Sequence, residues 1–446
     1  MDKNSSMVKL EEALTDDRIE NIKKVTKEVK RHFIPYNDLV KTAASTKYPA
    51  YNLMWNRDSA YSAIYLNIFI NNSRNSDLYD IIKEDLIELD ELNSRLIDTL
   101  WEALDFEVKK IQMGGYDRDI SGNRSKIGIN HILSRFDVDN EGVKRAPNDV
   151  NEAITTRSWT MQYDSAPLIL LATEEYLKNH DANKIEKSID IIKKDLDFIV
   201  QYIYNFHKTP CADAWEQYYY YQKENTVNGP LYVGKTIDSY TVSSVYRGIK
   251  SSKEIAKMLK IEIKDVDENQ VIDFLRSNFV FSDEKRGTFL AKSKIEFGEV
   301  MPSIGAEEIE IFSTFIPQDL EEYRKNTLKV IENELFDGEF LPIRYRFFGK
   351  YRNILDRYFG RGQWFHLGLQ YAMYLKENGN YEEADNIIKY IESKIGADGT
   401  IPEQEVITRK LVDDPDKFFE KNGNKTIECL FWAETAYLAA ASKLRV

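Results

Sequence analysis

Apolar residues recur at helical spacing along most of the chain. In 78–87, Leu78, Ile81 and Ile82 stand at i, i+3 and i+4 among Asp, Lys and Glu, which gives one stripe to bury and one face to solvate. Stripes of the same kind recur at 12–32, 58–71, 93–110, 165–179, 183–205, 237–260, 317–334, 363–378, 381–394 and 427–443. Strand-like alternation is short and confined to the neighbourhoods of 287–301 and 338–349. The predicted class is mainly α, roughly a dozen helices. Periodicity leaves open a bundle, a solenoid or a closed double ring.

No Pro-, Gly- or Ser-rich linker divides the chain, so 1–446 is read as one domain, with 1–30 a charged helical segment at its start. Three joints, 113–150, 208–235 and 396–425, are too long to be plain connectors, and long loops in compact domains often carry function.

Composition narrows the chemistry by exclusion. With 61 basic and 74 acidic residues the net charge is −13, and the basic residues are interleaved with other types. No basic stripe for a nucleic acid is formed. Cys211 and Cys429 are too few for a disulfide framework, and the five His include no His-x-x-x-His spacing, so neither a metal nor a cofactor is expected. The longest apolar run, 429–441, contains Glu434 and is too short to span a bilayer. The N-terminal segment lacks a signal-peptide apolar core. A cytoplasmic, reduced protein with no membrane partner is the expectation.

Five segments carry candidate chemistry. Tyr51, Trp55, Arg57 and Asp58 precede a helix: an adjacent Arg and Asp can grip vicinal hydroxyls while the rings offer apolar faces. Trp215 and Glu216 precede a run of tyrosines, where partial desolvation would keep a carboxyl protonated near neutral pH. The turn Asp398-Gly399-Thr400 can project Glu403 into a cleft, upstream of the helix with Trp432. Trp159 to Pro167 and Arg352 to Trp364 are polar, aromatic helix entries. Each has a plainer reading: Asp58 as a helix N-cap, Glu216 as a loop carboxylate beside packing tyrosines, Glu403 as part of a polar loop.

Taken in order, these segments resemble glycoside hydrolase family 15, the glucoamylase family, over about residues 30 to 445. Tyr51-x-x-x-Trp55-x-Arg57-Asp58 is similar to its first substrate-binding segment. Arg135-Phe-Asp-Val-Asp139 precedes the Trp159 segment, Trp215-Glu216 resembles its acid segment, Arg352 to Trp364 its Arg-and-Tyr segment, and Pro402-Glu403-Gln404 with Trp432 its base segment. The resemblance implies an (α/α)6 barrel, a six-hairpin double ring of helices with the pocket built from connecting loops at one end. It implies an exo-acting, inverting α-glucoside hydrolase that releases glucose from the non-reducing end of short maltooligosaccharides. Glu216 would be general acid and Glu403 general base, with the carboxyls about 6.5–9.5 Å apart to admit a water, against ~5 Å for a retaining pair.

By the same resemblance Arg57, Asp58, Trp55 and Tyr51 would hold the terminal sugar, Trp159 would pack near Glu216 and the next sugar, Trp215 and Trp432 would also bind substrate, and Arg352 and Tyr358 would complete the wall, Arg357 being the alternative to Arg352. Trehalose or isomaltose hydrolysis uses the same chemistry, and an inactive glycan-binding relative is a further alternative. A phosphorylase would not need Glu403, and a terpene cyclase would need an Asp-Asp-x-x-Asp run that the chain lacks. Two departures stand out: Gln217 replaces a second Glu of the fungal enzymes, and 218–236 resembles an insertion. No β-sandwich or starch-binding module is recognised.

Overall fold

The structure is a computed structural model that describes residues 14–47, 52–112, 117–118, 124–125, 135–145, 163–208, 219–222, 231–234, 236–295, 300–301, 304–315, 320–336, 339–346, 362–405 and 429–443. Within these, the helices in chain order are α1 Asp16–Arg31, α2 Asn56–Arg74, α3 Leu78–Gln112, α4 Ser165–Leu177, α5 Glu186–Phe206 and α6 Ser239–Leu259. They continue with α7 Glu268–Phe279, α8 Glu308–Glu310 extended by the π-turn Ile311–Phe315, and α9 Glu321–Ile331 extended by Glu332–Phe336. The last are α10 Phe365–Glu377, α11 Tyr381–Glu392 and α12 Phe431–Ser442.

Local chemistry sets the ends of these helices. Thr15 caps α1 by accepting from the Arg18 N–H at 3.3 Å, and Asp16 and Asp17 complement the positive end of the helix dipole. Asp238 and Asp267 cap α6 and α7 in the same way. Pro167 sits in the first turn of α4, where a missing N–H costs nothing. Lys260, left-handed at φ 56°, ends α6.

Burial sorts the helices into two rings. In α12 every residue is buried, and α2, α4, α6, α8 and α10 are buried on nearly all sides. These pack in the order α2, α4, α6, α8, α10, α12 and back to α2, which closes a ring. The striped helices lie outside: α3 on α2, α5 on α6 and α3, α7 on α6, α9 on α8, α11 on α10, and α1 on α12. A helix apolar all round needs neighbours all round, while a striped one needs a single dry face. At Gly248 on α6 an added Cβ would meet Pro167 at 2.8 Å, so glycine permits the close crossing of α6 and α4. The charged N-terminal segment therefore becomes, from Asp16 onward, an outer helix with Ile22, Val25 and Val29 fully buried. The architecture is the expected (α/α)6 barrel.

The two ends of the barrel differ. Inner-to-outer links are short, as at 75–77, 178–185 and 378–380. Outer-to-inner links are long and carry small antiparallel ladders, including 33–36 with 39–42, 54–55 with 135–136, 219–222 with 231–234, 236–238 with 293–295 and 363–364 with 404–405. The stretch 218–236 thus contains a β-hairpin. No helix of the described residues is long and apolar enough to cross a membrane.

At the short-link end a cavity of about 200 Å³ opens between the inner helices, lined by Tyr65, Arg247, Glu310, Gln370 and Glu377 among others. Glu310 is 3% exposed and accepts from the Tyr65 hydroxyl at 3.4 Å. Burial pushes its carboxyl up to about 7. An acid that is harder to ionise in the folded state makes the unfolded chain bind fewer protons between the ordinary value of 4.5 and about 7. Stability from this group is therefore full at acidic pH and is lost as pH rises to about 7, by about 3 kcal/mol. Urea denaturation from pH 4.5 to 8 should show Glu310→Gln gaining on the wild type by this amount as pH rises. Parallel curves for the two proteins would reject the assignment.

Candidate active site

The N-terminal ends of the inner helices meet at the long-link end and bring polar side chains together. The strand Met54–Trp55 pairs with Phe136 and Arg135, and α2 starts directly after it. The expectation that Asp58 caps α2 needs correcting. The helix begins two residues earlier, at Asn56, because the ladder ends at Trp55, and Asp58 lies inside the first turn. Its carboxyl is pushed up to about 6 by burial, with the Arg57 cation opposing that shift.

Arg57 is 6% exposed and donates in a fork to the fully buried Asp164, Nε to Oδ2 at 2.5 Å and Nη2 to Oδ1 at 2.9 Å. Burial alone would make this guanidinium less basic, but Asp164 outweighs it and holds the charge. Asp164 immediately precedes α4, so the pair ties the first two inner helices together at the mouth. Asp164 was passed over in the sequence, where it reads as one acid in a helix entry.

A stack of rings forms the floor. Trp432 lies 4.7 Å from the Tyr61 ring and 4.0 Å from His366, both stacked, and Trp364 meets His366 edge-on at 5.6 Å. The Tyr61 hydroxyl shares a 2.6 Å hydrogen bond with that of Tyr240 on α6. Arg344, 4% exposed, lies over the Trp364 ring at 4.7 Å. Burial and then the Arg344 charge hold His366 well below its usual range, so it is neutral. Arg344 is a basic group of the same joint as Arg352 that the sequence reading did not single out.

Glu403 is half-buried, and its backbone carbonyl accepts from the Phe365 N–H at 3.2 Å. Its neighbour Gln404 pairs with Trp364, and Glu405 with Gln363. The side chains of Gln363 and Gln404 are 1% and 2% exposed, and among the described residues neither amide oxygen has a hydrogen-bond partner. Such atoms suit a polyhydroxyl ligand. The turn before Glu403 depends on Gly399, whose φ is +92° and whose added Cβ would lie 2.3 Å from the Lys24 carbonyl oxygen of α1. Gly399→Ala should therefore cost about 1–3 kcal/mol in a denaturant melt, and a neutral effect would remove the turn from the scaffold of Glu403.

A second charged cluster was not foreseen. Lys292, fully buried, pairs with Glu307, and with Asp238 Oδ2 at 3.4 Å. Glu308 beside it is pushed up to about 8 by burial, against the pull of Lys292. It accepts from the Gly305 N–H at 2.8 Å. These groups stand at the starts of α6 and α8, at the same end as Arg57. No local sequence signal unites residues 238, 292 and 307.

Of the candidate residues, Trp55, Arg57, Asp58, Glu403 and Trp432 are described and all stand at the long-link end. Trp432 is 4% exposed and builds the floor. Tyr51, Trp159, Trp215, Glu216, Gln217, Arg352, Arg357 and Tyr358 lie outside the described residues.

No protein-family model matches the chain, and no curated protein does. Solved structures do. A wild-type glycosidase superposes with a TM-score of 0.63 at 16% identity, over 96% of this chain and 98% of that one. The fold they share is the six-hairpin double ring of helices. A glucose-bound variant titled as a glycosidase gives a TM-score of 0.63 at 15% identity, over 96% of this chain and 98% of that one. A bacterial glucoamylase complexed with acarbose gives 0.52 at 12% identity, over 96% of this chain and 56% of that one. A family 15 glucoamylase from Hypocrea jecorina gives 0.51 at 14% identity, over 95% of this chain and 71% of that one. In the six-hairpin fold of this chain, the long-link end is where Arg57, Asp164, Trp364 and Glu403 converge.

Proposed function

We propose that the chain is an inverting α-glucoside hydrolase of the family 15 type, acting from the non-reducing end of short maltooligosaccharides. The observation that supports this reading is that half-buried Glu403, the Arg57–Asp164 fork and the ring stack of Trp432 and His366 all belong to the long-link end of the barrel. Glu403 removes a proton from water as its oxygen attacks the anomeric carbon, the carbon–oxygen bond to the leaving sugar breaks, and Glu216 delivers a proton to that leaving oxygen. Arg57 and Asp58 hold hydroxyls of the terminal sugar. The glucose and acarbose bound in two of the similar structures favour a glucoside as substrate.

Proton NMR of the first turnovers on maltotriose, isomaltose and trehalose tests the reaction and the linkage together. The expected result is β-glucose released first, fastest from maltotriose. An α-anomer would overturn the roles of Glu216 and Glu403, and preference for trehalose or isomaltose would reassign the substrate. No sugar release from any of the three would remove the hydrolase reading.

A further inference from the structure

A second polar cluster lies away from the mouth residues, at the seam where the first helix meets the last. Glu28 and His32 are four residues apart on one face of α1 and its cap, and Cys429 and Glu434 flank the start of α12. All four are 2% exposed or less. Around the Cys429 sulfur stand Glu434 Oε1 at 3.3 Å, His32 Nε2 at 3.5 Å and Glu28 Oε1 at 3.7 Å. His32 Nε2 is also 2.9 Å from Glu434 Oε2.

One thiol carries one proton and cannot serve both Glu434 Oε1 and Glu28 Oε1. A tetrahedral ion with bonds of about 2.0–2.1 Å to nitrogen or oxygen and about 2.3 Å to sulfur sets its ligands about 3.3–3.7 Å apart, the spacing found around this sulfur.

The surroundings complete the donor set. His32 Nδ1 donates to the Ala43 carbonyl at 2.6 Å, so Nε2 is the ring nitrogen that faces the cluster and can bind an ion once deprotonated. Glu28 is steadied by the Thr46 hydroxyl at 2.9 Å and by Arg31 at 2.7 Å. A thiolate and two carboxylates around a divalent cation leave one negative charge, which Arg31 balances.

We propose that Glu28, His32 and Cys429 bind one divalent cation of the zinc class in a buried, structural site, with Glu434 next to it, paired to His32. Thiolate and imidazole select zinc over magnesium or calcium, and the burial of all three donors keeps a substrate from the ion. The ion clamps α1 to α12. Through Glu434, which accepts from the Ile401 N–H at 3.3 Å, it also steadies the turn two residues before Glu403. The sequence concealed the site because its halves lie about 400 positions apart and neither has a familiar metal spacing.

The full chain, expressed with zinc and dialysed against metal-free buffer, is assayed for metal by plasma mass spectrometry. The chelated chain is then titrated with Co²⁺ alone. The expected results are one zinc per chain and a thiolate-to-cobalt charge-transfer band. Cys429→Ser should lose the band, and stoichiometric Zn²⁺ should raise the wild-type melting temperature by several degrees. A folded wild-type chain that retains no metal and gives no band overturns the proposal. So does a band that persists in Cys429→Ser, since it would arise at Cys211. Because the wild type decides by itself, poor folding of the variant leaves the test intact.

Discussion

Glu403→Gln should lower kcat on maltotriose by about 10²–10⁴-fold, the usual contribution of a positioned general base, with KM changed little. The amide keeps the size and planarity of the carboxylate but cannot take a proton from water. The fold should tolerate it, because the structure holds this residue by its backbone: the carbonyl accepts from Phe365, and the next two residues pair with Trp364 and Gln363. The melting temperature and circular dichroism should therefore match the wild type. A kcat within a few-fold of wild type would remove Glu403 from the role of base. A collapse of kcat with a parallel loss of fold would make it a scaffold residue instead.

Glu403 and its loop illustrate what can be read from a linear chain. The turn chemistry of Asp398-Gly399-Thr400 was visible, but not the Lys24 carbonyl that makes glycine obligatory there, since α1 is nearly 400 positions away. The same holds for the rings. Stripes in 16–31 and 186–206 announced a single dry face, and 427–443 was read as one more stripe although every residue of 431–442 is buried. Which helix neighbours which is a matter of packing that no period encodes, so the double ring came only from the resemblance.

Two elements escaped for different reasons. In 268–279 the cap Asp267 and the buried Val271, Ile272, Leu275 and Phe279 offered a signal that went unused. In 308–315 the helix is too short and too buried to show a stripe. The pairs Arg57–Asp164 and Lys292–Glu307 form only when the inner helices align their starts, so the acids in them looked like solvated charge.

The alignment of those starts gives the second large effect. Asp164→Ala should destabilise the chain by about 3–5 kcal/mol, because it strips the buried Arg57 cation of its fork-bonded carboxylate. Arg57 also stands in the first turn of α2, where the helix dipole disfavours positive charge, and the Asp164 carboxylate offsets both penalties. Loss of a helix cap does not enter, since the Asp164 side chain makes no capping hydrogen bond to α4. The double variant Arg57→Met with Asp164→Leu should recover most of the stability, as buried ion pairs replaced by apolar residues of similar volume often do. It should not recover kcat/KM on maltotriose, because the guanidinium proposed to hold sugar hydroxyls is gone. Urea denaturation of the two single variants and the double variant measures the coupling directly. If activity returned along with stability, Arg57 would be a strut between α2 and α4 with no hold on substrate. Stability restored without activity would mean that a costly buried charge is kept at the mouth for what it binds.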